Sequence, residues 1–337
     1  MKSYWALAVG LILSIALLWW AFHNVAVSNV QRLLLQSNWM LFAFSIAVST
    51  CIFPLRALRL RYILEPCTGR LQLGPLLRST AVGMMINNIF PFRLGELARV
   101  MALSHEAPKV AIVSIAGSLA VERLFDTLVI LGMMFGALLD SAFPAGADAS
   151  GFPLQLVGIV GISVLLIALA WPCFNASKWS IQQQGRQLLV SLFGRSKATW
   201  VFRIVDQVLL GLGALRQPRL FLTILWLTIV HWILHVLGLY VSLRAMSIEL
   251  PFSAALFVQG VLSIGAAIPS SPGSFGVFEA LGAAYIEIWG IDKDLAVSWA
   301  ILYHICTLIP STILGAMCFT QLGLRLTSLI TARNETS

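Results

Sequence analysis

Long apolar runs follow one another along this chain. Six of them approach or exceed the roughly 20 residues that a helix needs to cross hydrocarbon: residues 5–22, 39–55, 110–139, 152–171, 220–243 and 295–324. Two further apolar stretches, 74–106 and 252–290, are broken in the middle by "NNIFPFRLGE" and "PSSPGSFG". Proline and clustered glycine stop helices. Each of these stretches is therefore expected to form two half-helices joined by a turn, a re-entrant hairpin that enters and leaves by one side. The pattern predicts an all-α polytopic membrane protein with about six full spans and two broken-helix hairpins.

Composition agrees with that reading. Of the 337 residues 59% are hydrophobic and only 11% charged, against about 25% charged in ordinary globular domains. The first run has no small-residue cleavage site, so it reads as a retained helix and not a signal peptide. Cys51, Cys67, Cys173, Cys306 and Cys318 show no paired spacing and read as packing residues. The net charge of +8 does not point to nucleic acid, because the basic residues flank the apolar runs instead of forming one patch. With the N-terminus inside and both hairpins re-entrant, 18 Lys and Arg fall on the cytoplasmic side, Arg56, Arg59 and Arg61 among them. Only Arg32, Arg244 and Lys293 fall outside, and Arg123 lies within a span. That asymmetry leads us to expect both termini in the cytoplasm. Residues 175–217 alternate basic and apolar clusters and read either as amphipathic helices on the inner leaflet or as a cytoplasmic linker.

The order span, broken hairpin, long span occurs twice. At an offset of 181 residues Pro91 meets Pro272, Gly95 meets Gly276 and Arg123 meets His304. Three crossings separate the copies, so the second is inverted, an organisation that many secondary transporters share. The chain then divides into an N-terminal helix and outer loop (1–38), a first repeat (39–140), a connecting span with the amphipathic segment (141–219), an inverted second repeat (220–325) and a tail (326–337). The hairpin tips are expected to approach each other from opposite sides.

Polar groups within apolar sequence carry the functional question. Asn87, Asn88, Pro91 and Gly95 suit a broken helix end, as do Pro269, Pro272, Gly273 and Gly276 in the second hairpin. A structural turn accounts for these, but not for Arg93, Glu96 and Arg99 together, since ionisable groups at membrane depth are costly and mark pathways. In "ERLFD", Glu122 and Asp126 share a helix face and Arg123 lies about 100° round, which serves a structural ion pair or a functional one. The surplus acid there looks to Arg93 or Arg99 as partner. Ser270, Ser271 and Ser274 precede a half-helix whose free N–H groups attract anions; Glu279 stands where it could cap that helix instead. At the 181-residue offset Glu96 and Glu279 miss each other by two positions and do not read as a symmetric pair. His231 and His235 share a helix face without further ligands, so no metal and no cofactor is expected. His304 is alone in a long span.

The three motifs, Asn88-x-x-Pro91-x-Arg93-x-Gly95-Glu96-x-x-Arg99, then Glu122-Arg123-x-x-Asp126, then Pro269-x-x-Pro272-Gly273-x-x-Gly276-x-x-Glu279, resemble the transmembrane region of lysylphosphatidylglycerol synthases and its stand-alone flippase-like relatives, over residues 35–325. In the bifunctional synthases a soluble aminoacyl-transferase domain follows; here the sequence runs out at Ser337. The resemblance therefore implies translocation of an anionic phospholipid or a polyprenyl-phosphate-type intermediate across the bacterial inner membrane, and not lysyl transfer or another enzymatic step. Arg93, Arg99, Arg123 and the three serines are expected to hold the headgroup. Glu96, Glu122, Asp126, Glu279 and His304 are expected to adjust charge. Two rival readings stand beside it: a non-transporting partner of a lipid- or glycan-synthesis enzyme, and an integral-membrane headgroup transferase.

Overall fold

The structure, a computed structural model, describes residue 19 and residues 27–91, 93–144, 156–165, 217–268 and 270–322. The expected span 5–22 (residue 19 apart), the flanks of 152–171, the amphipathic stretch up to residue 216 and the tail lie outside these residues. Among the described residues every regular element is a helix. They are α1 (Val27–Gln36), α2 (Trp39–Thr50), α3 (Ile52–Thr68), α4 (Leu73–Ile89), α5 (Gly95–Glu106), α6 (Ile112–Ala137), α7 (Leu156–Leu165), α8 (Pro218–Ala245), α9 (Phe252–Gly265), α10 (Val277–Glu287) and α11 (Lys293–Gln321). A short 3-10 turn, Pro272–Ser274, lies between α9 and α10.

Among the described residues three stretches are long and apolar enough to cross a bilayer: Trp39–Thr68, Pro218–Ala245 and Lys293–Gln321. Helix α6 has 26 residues, about 39 Å at 1.5 Å per residue, but carries Glu122, Arg123 and Asp126. Local chemistry sets the starts. Asn38 accepts N–H bonds from Met40 and Leu41 at 3.1 and 3.2 Å, and Asp292 accepts from Asp294 and Leu295 at 3.0 and 3.3 Å. Helix α8 opens on Pro218, where a missing N–H costs nothing.

One expectation changes here. The run 39–55 does not end at its arginines: helical backbone passes through Cys51 and continues as α3 to Thr68. Arg56 and Arg59 are thus within a helix and not at the end of one, and Arg59 is 0% exposed. The thirteen residues beyond Leu55 continue the helix, and Arg56 and Arg59 on it meet carboxylates of α6.

Both interrupted stretches form helical hairpins, α4–α5 and α9–α10. Each first arm packs antiparallel on the long helix of the other half. Along α4, Arg78 shares a cavity with Gln321 and Leu322, Ala81 and Met85 lie against Gly315, and Asn88 reaches Leu308, Ser311 and Thr312. Along α9, Phe257 meets Phe143 edge-on at 5.1 Å and Gly260 lies against Ile130 and Met134. Hairpin one returns directly into the N-terminal end of α6, whereas hairpin two begins beside the C-terminal end of α6. The two hairpins therefore open at opposite ends of the bundle. Their tips meet: the 3-10 turn packs on α4, with Gly273 beside the Asn88 carbonyl.

The larger apolar core joins both halves, with Phe42, Val236, Leu239, Ala254, Val258, Trp299 and Tyr303 at its centre. A smaller one, containing Leu60, Leu64, Leu76, Leu103 and Ile115, seats hairpin one against α3 and α6. Leu222, Trp226, Ile313 and Met317 face outward, as lipid-facing positions do.

Candidate functional site

The site begins with the geometry of hairpin one. A Cβ on Gly83 would meet the Gly95 carbonyl at 2.8 Å, and one on Gly95 would run into Gly83 and Asn87. Two glycines thus let α4 and α5 touch backbone to backbone. That contact lets Asn87 Oδ1 accept the Gly95 N–H at 2.7 Å, so the free end of α5 is satisfied without water. The tip is anchored by Asn88, whose Nδ2 donates to Ser311 Oγ and Thr312 Oγ1, both at 2.9 Å, and at 3.4 Å to the Leu308 carbonyl. Pro310 lies within that patch of α11. Pro91 makes the bend after α4, and Arg93 follows with φ 52° and an exposed side chain.

Behind the tip lies a buried charge cluster on four helices. Glu122, 0% exposed, receives Arg56, Arg59 and Arg99, each at 3.0 Å from Oε1, and Arg123 at 3.4 Å. Asp126 receives Arg59 through both terminal nitrogens at 2.6 and 3.3 Å and the Trp232 indole N–H at 3.0 Å. Arg59 also donates to Thr228 Oγ1 at 3.2 Å. Arg123 ties the cluster to the hairpin, 3.3 Å from Glu96 and 3.5 Å from Asp126.

Exposure falls steeply through this arrangement. Arg123 and Glu96 have side chains 37% and 35% exposed, whereas Arg99 is 2% exposed. Four guanidiniums face three carboxylates in these pairs, and Arg93 adds a cation at the rim without joining any of them. Not every group is satisfied: Glu122 Oε2, Glu96 Oε2 and the Nε and Nη2 of Arg99 are buried without a hydrogen-bond partner. Such atoms cost about 1–3 kcal/mol each, more when charged. The arrangement is rigid where bidentate pairs close it and open where Arg123 meets Glu96.

Of the two partners foreseen for the surplus acid, Arg99 takes Glu122 and Arg93 does not. Arg56, Arg59, Thr228 and Trp232 were not foreseen. The signal for the first two was their i, i+3 spacing, which puts both on one helix face.

The second hairpin is built differently. Ser271 Oγ donates to the Phe275 carbonyl at 2.7 Å, and the Ser274 N–H to the Ser271 carbonyl at 3.0 Å. Ser274 has φ 60° and Ser270 is buried; Pro269 lies outside the described residues. Gly273 and Gly276, at φ 63° and 88°, make the reversals that follow Pro272. The N–H of Gly276 is already taken by Glu279 Oε2 at 2.7 Å, so an anion arriving at α10 would have to displace a carboxylate. The other oxygen of Glu279 lies 2.7 Å from His304 Nδ1. His304 is stacked on Phe278 with ring centres 4.2 Å apart and lies 4.7 Å from Phe275.

Glu96 and Glu279 therefore occupy like places after all. Each stands in the first turn of its hairpin's second arm, and each pairs with the base at position 123 or 304 of its own long helix. One residue of their offset arises because α5 starts on Gly95 and α10 one residue after Gly276, and the other because Glu96 is the second residue of its helix and Glu279 the third. The cluster around Glu122 and the Glu279–His304 pair do not merge into one ion network.

His231 and His235 pack edge-to-face at 4.8 Å on either side of Trp232. Among the described residues no group of three His, Cys, Asp or Glu is arranged for a metal ion.

The family described as the lysylphosphatidylglycerol synthase TM region matches residues 7–315. A UPF0104 membrane protein of Methanothermobacter thermautotrophicus is 24% identical, covering 94% of this chain and 92% of its own length. Its counterpart in Pyrococcus horikoshii is 22% identical, covering 94% and 96%. Glycosyltransferase AglD of Haloferax volcanii is 23% identical over 98% of this chain, which spans 58% of that protein. These relatives are archaeal, so they carry the family and not the bacterial envelope expected from the sequence. The chain is a multi-pass membrane protein that belongs to the lysylphosphatidylglycerol synthase transmembrane-region family.

Proposed function

We propose that this protein carries an anionic phospholipid, or a polyprenyl-phosphate-type lipid intermediate, from one leaflet of the cytoplasmic membrane to the other, as a carrier and not as an enzyme. The observation that supports it is the arginine-rich cluster with its graded exposure. A phosphate reaching the bundle meets Arg93 first, then Arg123, and can exchange with Glu96 for the Arg123 guanidinium. Deeper, the unpartnered N–H groups of Arg99 offer charge-assisted hydrogen bonds that planar guanidiniums make well to phosphate. Buried Glu122 and Asp126 keep the arginines in place and limit the excess charge, so that binding stays reversible. Passage to the other leaflet would use the two hairpins, which open at opposite ends and meet at Asn88 and Gly273. The distribution of basic residues supports cytoplasmic termini.

A second reading keeps one observation of its own. The region that resembles this chain makes up 58% of a protein named a glycosyltransferase, which favours a role beside a lipid- or glycan-synthesis enzyme. It is compatible with transport, since a carrier can be joined to the enzyme that builds its cargo.

The test is leaflet exchange in liposomes containing the purified protein, followed with fluorescent anionic, zwitterionic and polyprenyl-phosphate lipids and an external quencher. Exchange should prefer the anionic lipids and fall at least about tenfold in Arg93→Gln, a loss of about 1.4 kcal/mol of binding. Because Arg93 is exposed, that variant should fold like the parent. Equal exchange of all headgroups, or none of any, would turn the assignment toward the synthesis-partner role.

A further inference from the structure

The two halves differ at one equivalent position. In the first, Glu96 pairs with Arg123, whose charge is fixed. In the second, Glu279 pairs with His304, the one side chain whose ordinary titration range spans neutrality. We propose that the His304–Glu279 pair is a proton-binding site and that lipid passage through this protein is coupled to the taking up and release of one proton there. This rests on the lipid-carrier reading and adds the coupling ion to it.

The geometry supplies what such a site needs. Both side chains are buried, at 5% and 2% exposure, and their polar atoms are 2.7 Å apart. Glu279 is held from behind by the Gly276 N–H at 2.7 Å, so its free oxygen is aimed at the imidazole. With Nδ1–H donating to the carboxylate, Nε2 accepts the proton. The pair then passes from a net charge of −1 to neutral, and it returns when Nε2 gives the proton back to water. Phe275 and Phe278 cover the ring, and a carboxylate next to a shielded imidazole is a strong charge partner.

The groups that face His304 from the helices packed on α11 leave Glu279 as its ion partner. Helix α10 otherwise brings Glu287 and Tyr285, at its far end. Helix α4 carries only Arg78, paired with Glu106; α2 carries no charge; α1 carries Arg32, exposed. On α8, Arg219 stands in the first turn, His231 and His235 flank Trp232 beside Asp126, and Arg244 meets Tyr240 and Glu249. On α11 itself Lys293 and Asp294 lie three turns away, and Tyr303 and Cys306 are the nearest titratable neighbours.

The pair is also placed to act on the hairpins. Glu279 caps the arm that follows the 3-10 turn, and that turn packs on the tip of hairpin one. Loss of the proton leaves Glu279 an unbalanced buried anion, which loosens its hold on α11 or draws in a cation. Arg123 cannot make that change, so of the two equivalent pairs only Glu279–His304 takes up a proton.

Two measurements test this, each in the full-length protein. The first is anionic-lipid exchange in liposomes at matched inner and outer pH between 5.5 and 8.5. Wild type should follow a single titration, changing by up to about tenfold per pH unit on its slope. His304→Arg should flatten the profile, whereas Glu279→Gln, which keeps the imidazole, should displace it to lower pH. The second is nitrogen-15 NMR of histidine-labelled protein in detergent, with His304→Gln identifying the signal among five histidines. The His304 ring should titrate within that range, and its midpoint should drop in Glu279→Gln. Exchange that is robust but equally pH-independent in wild type and His304→Arg would overturn proton coupling and leave lipid transport standing. Absence of exchange would remove the transport reading, and a His304 ring fixed in one state across the range would overturn the proton site by itself.

Discussion

Glu122 is the residue on which most of the buried chemistry converges. It meets Arg56, Arg59 and Arg99 at 3.0 Å with no exposed surface of its own. Removing one member of a buried ion network strands the others, at about 3–5 kcal/mol. Glu122→Gln is therefore expected to lower the midpoint of thermal unfolding in detergent sharply, and an unchanged midpoint would show that the arginines are held by something else. Arg59→Lys should fare worse than its conserved charge implies, because an ammonium cannot reproduce the two-pronged contact with Asp126. At this scale the sequence showed Glu122, Arg123 and Asp126 plainly, since three charges within an apolar run have few innocent uses. Arg56 and Arg59 were obscured by a rule that is usually right: arginine after an apolar run reads as the cytoplasmic margin. Only the partners on α6 reverse that reading, and partners are a property of the fold.

At the scale of elements, both broken stretches could be read from proline and glycine alone, and both became hairpins. What could not be read was the closeness of α4 and α5. Gly95 looks like an ordinary turn residue, yet its hydrogen atom is what allows the Gly83 carbonyl and Asn87 to lie against it. We predict that Gly95→Ala destabilises the protein by about 1–3 kcal/mol, the range of overpacked sites. Thermal unfolding of the purified variant checks it, and an effect below about 0.5 kcal/mol would mean that the two arms do not touch. The likeness of Glu96 and Glu279 was hidden for a related reason. Side chains of one helical turn reach the same partner from different positions, so a strict residue offset misses a pairing that geometry keeps.

For the whole molecule, the sequence predicts inversion from three crossings between two similar series, and of the middle one, 152–171, only Leu156–Leu165 is described. The exchange of partners was not: each hairpin's first arm leans on the long helix of the other half, α4 on α11 and α9 on α6. That exchange puts the hairpin mouths at opposite ends, which labelling can check. Lys109, at the mouth of hairpin one, and Glu249, before hairpin two, are both exposed. As single cysteines in a background lacking the five native ones, they should react with an impermeant maleimide from opposite faces of sealed vesicles. Labelling from the same face would show that the halves are not inverted.

Passage of lipid along the proposed route requires the hairpins to move. Asn88 docks hairpin one onto Ser311 and Thr312 of α11, so a reducible cross-link there holds the tip in place. The decisive measurement is leaflet exchange of an anionic lipid by the Asn88→Cys, Thr312→Cys protein, joined by a short disulfide-forming reagent, before and after reduction. Exchange should stop in the cross-linked protein and return on reduction to the rate of the unlinked double variant. Exchange that continues at full rate with the tip held would rule out movement of hairpin one as the route.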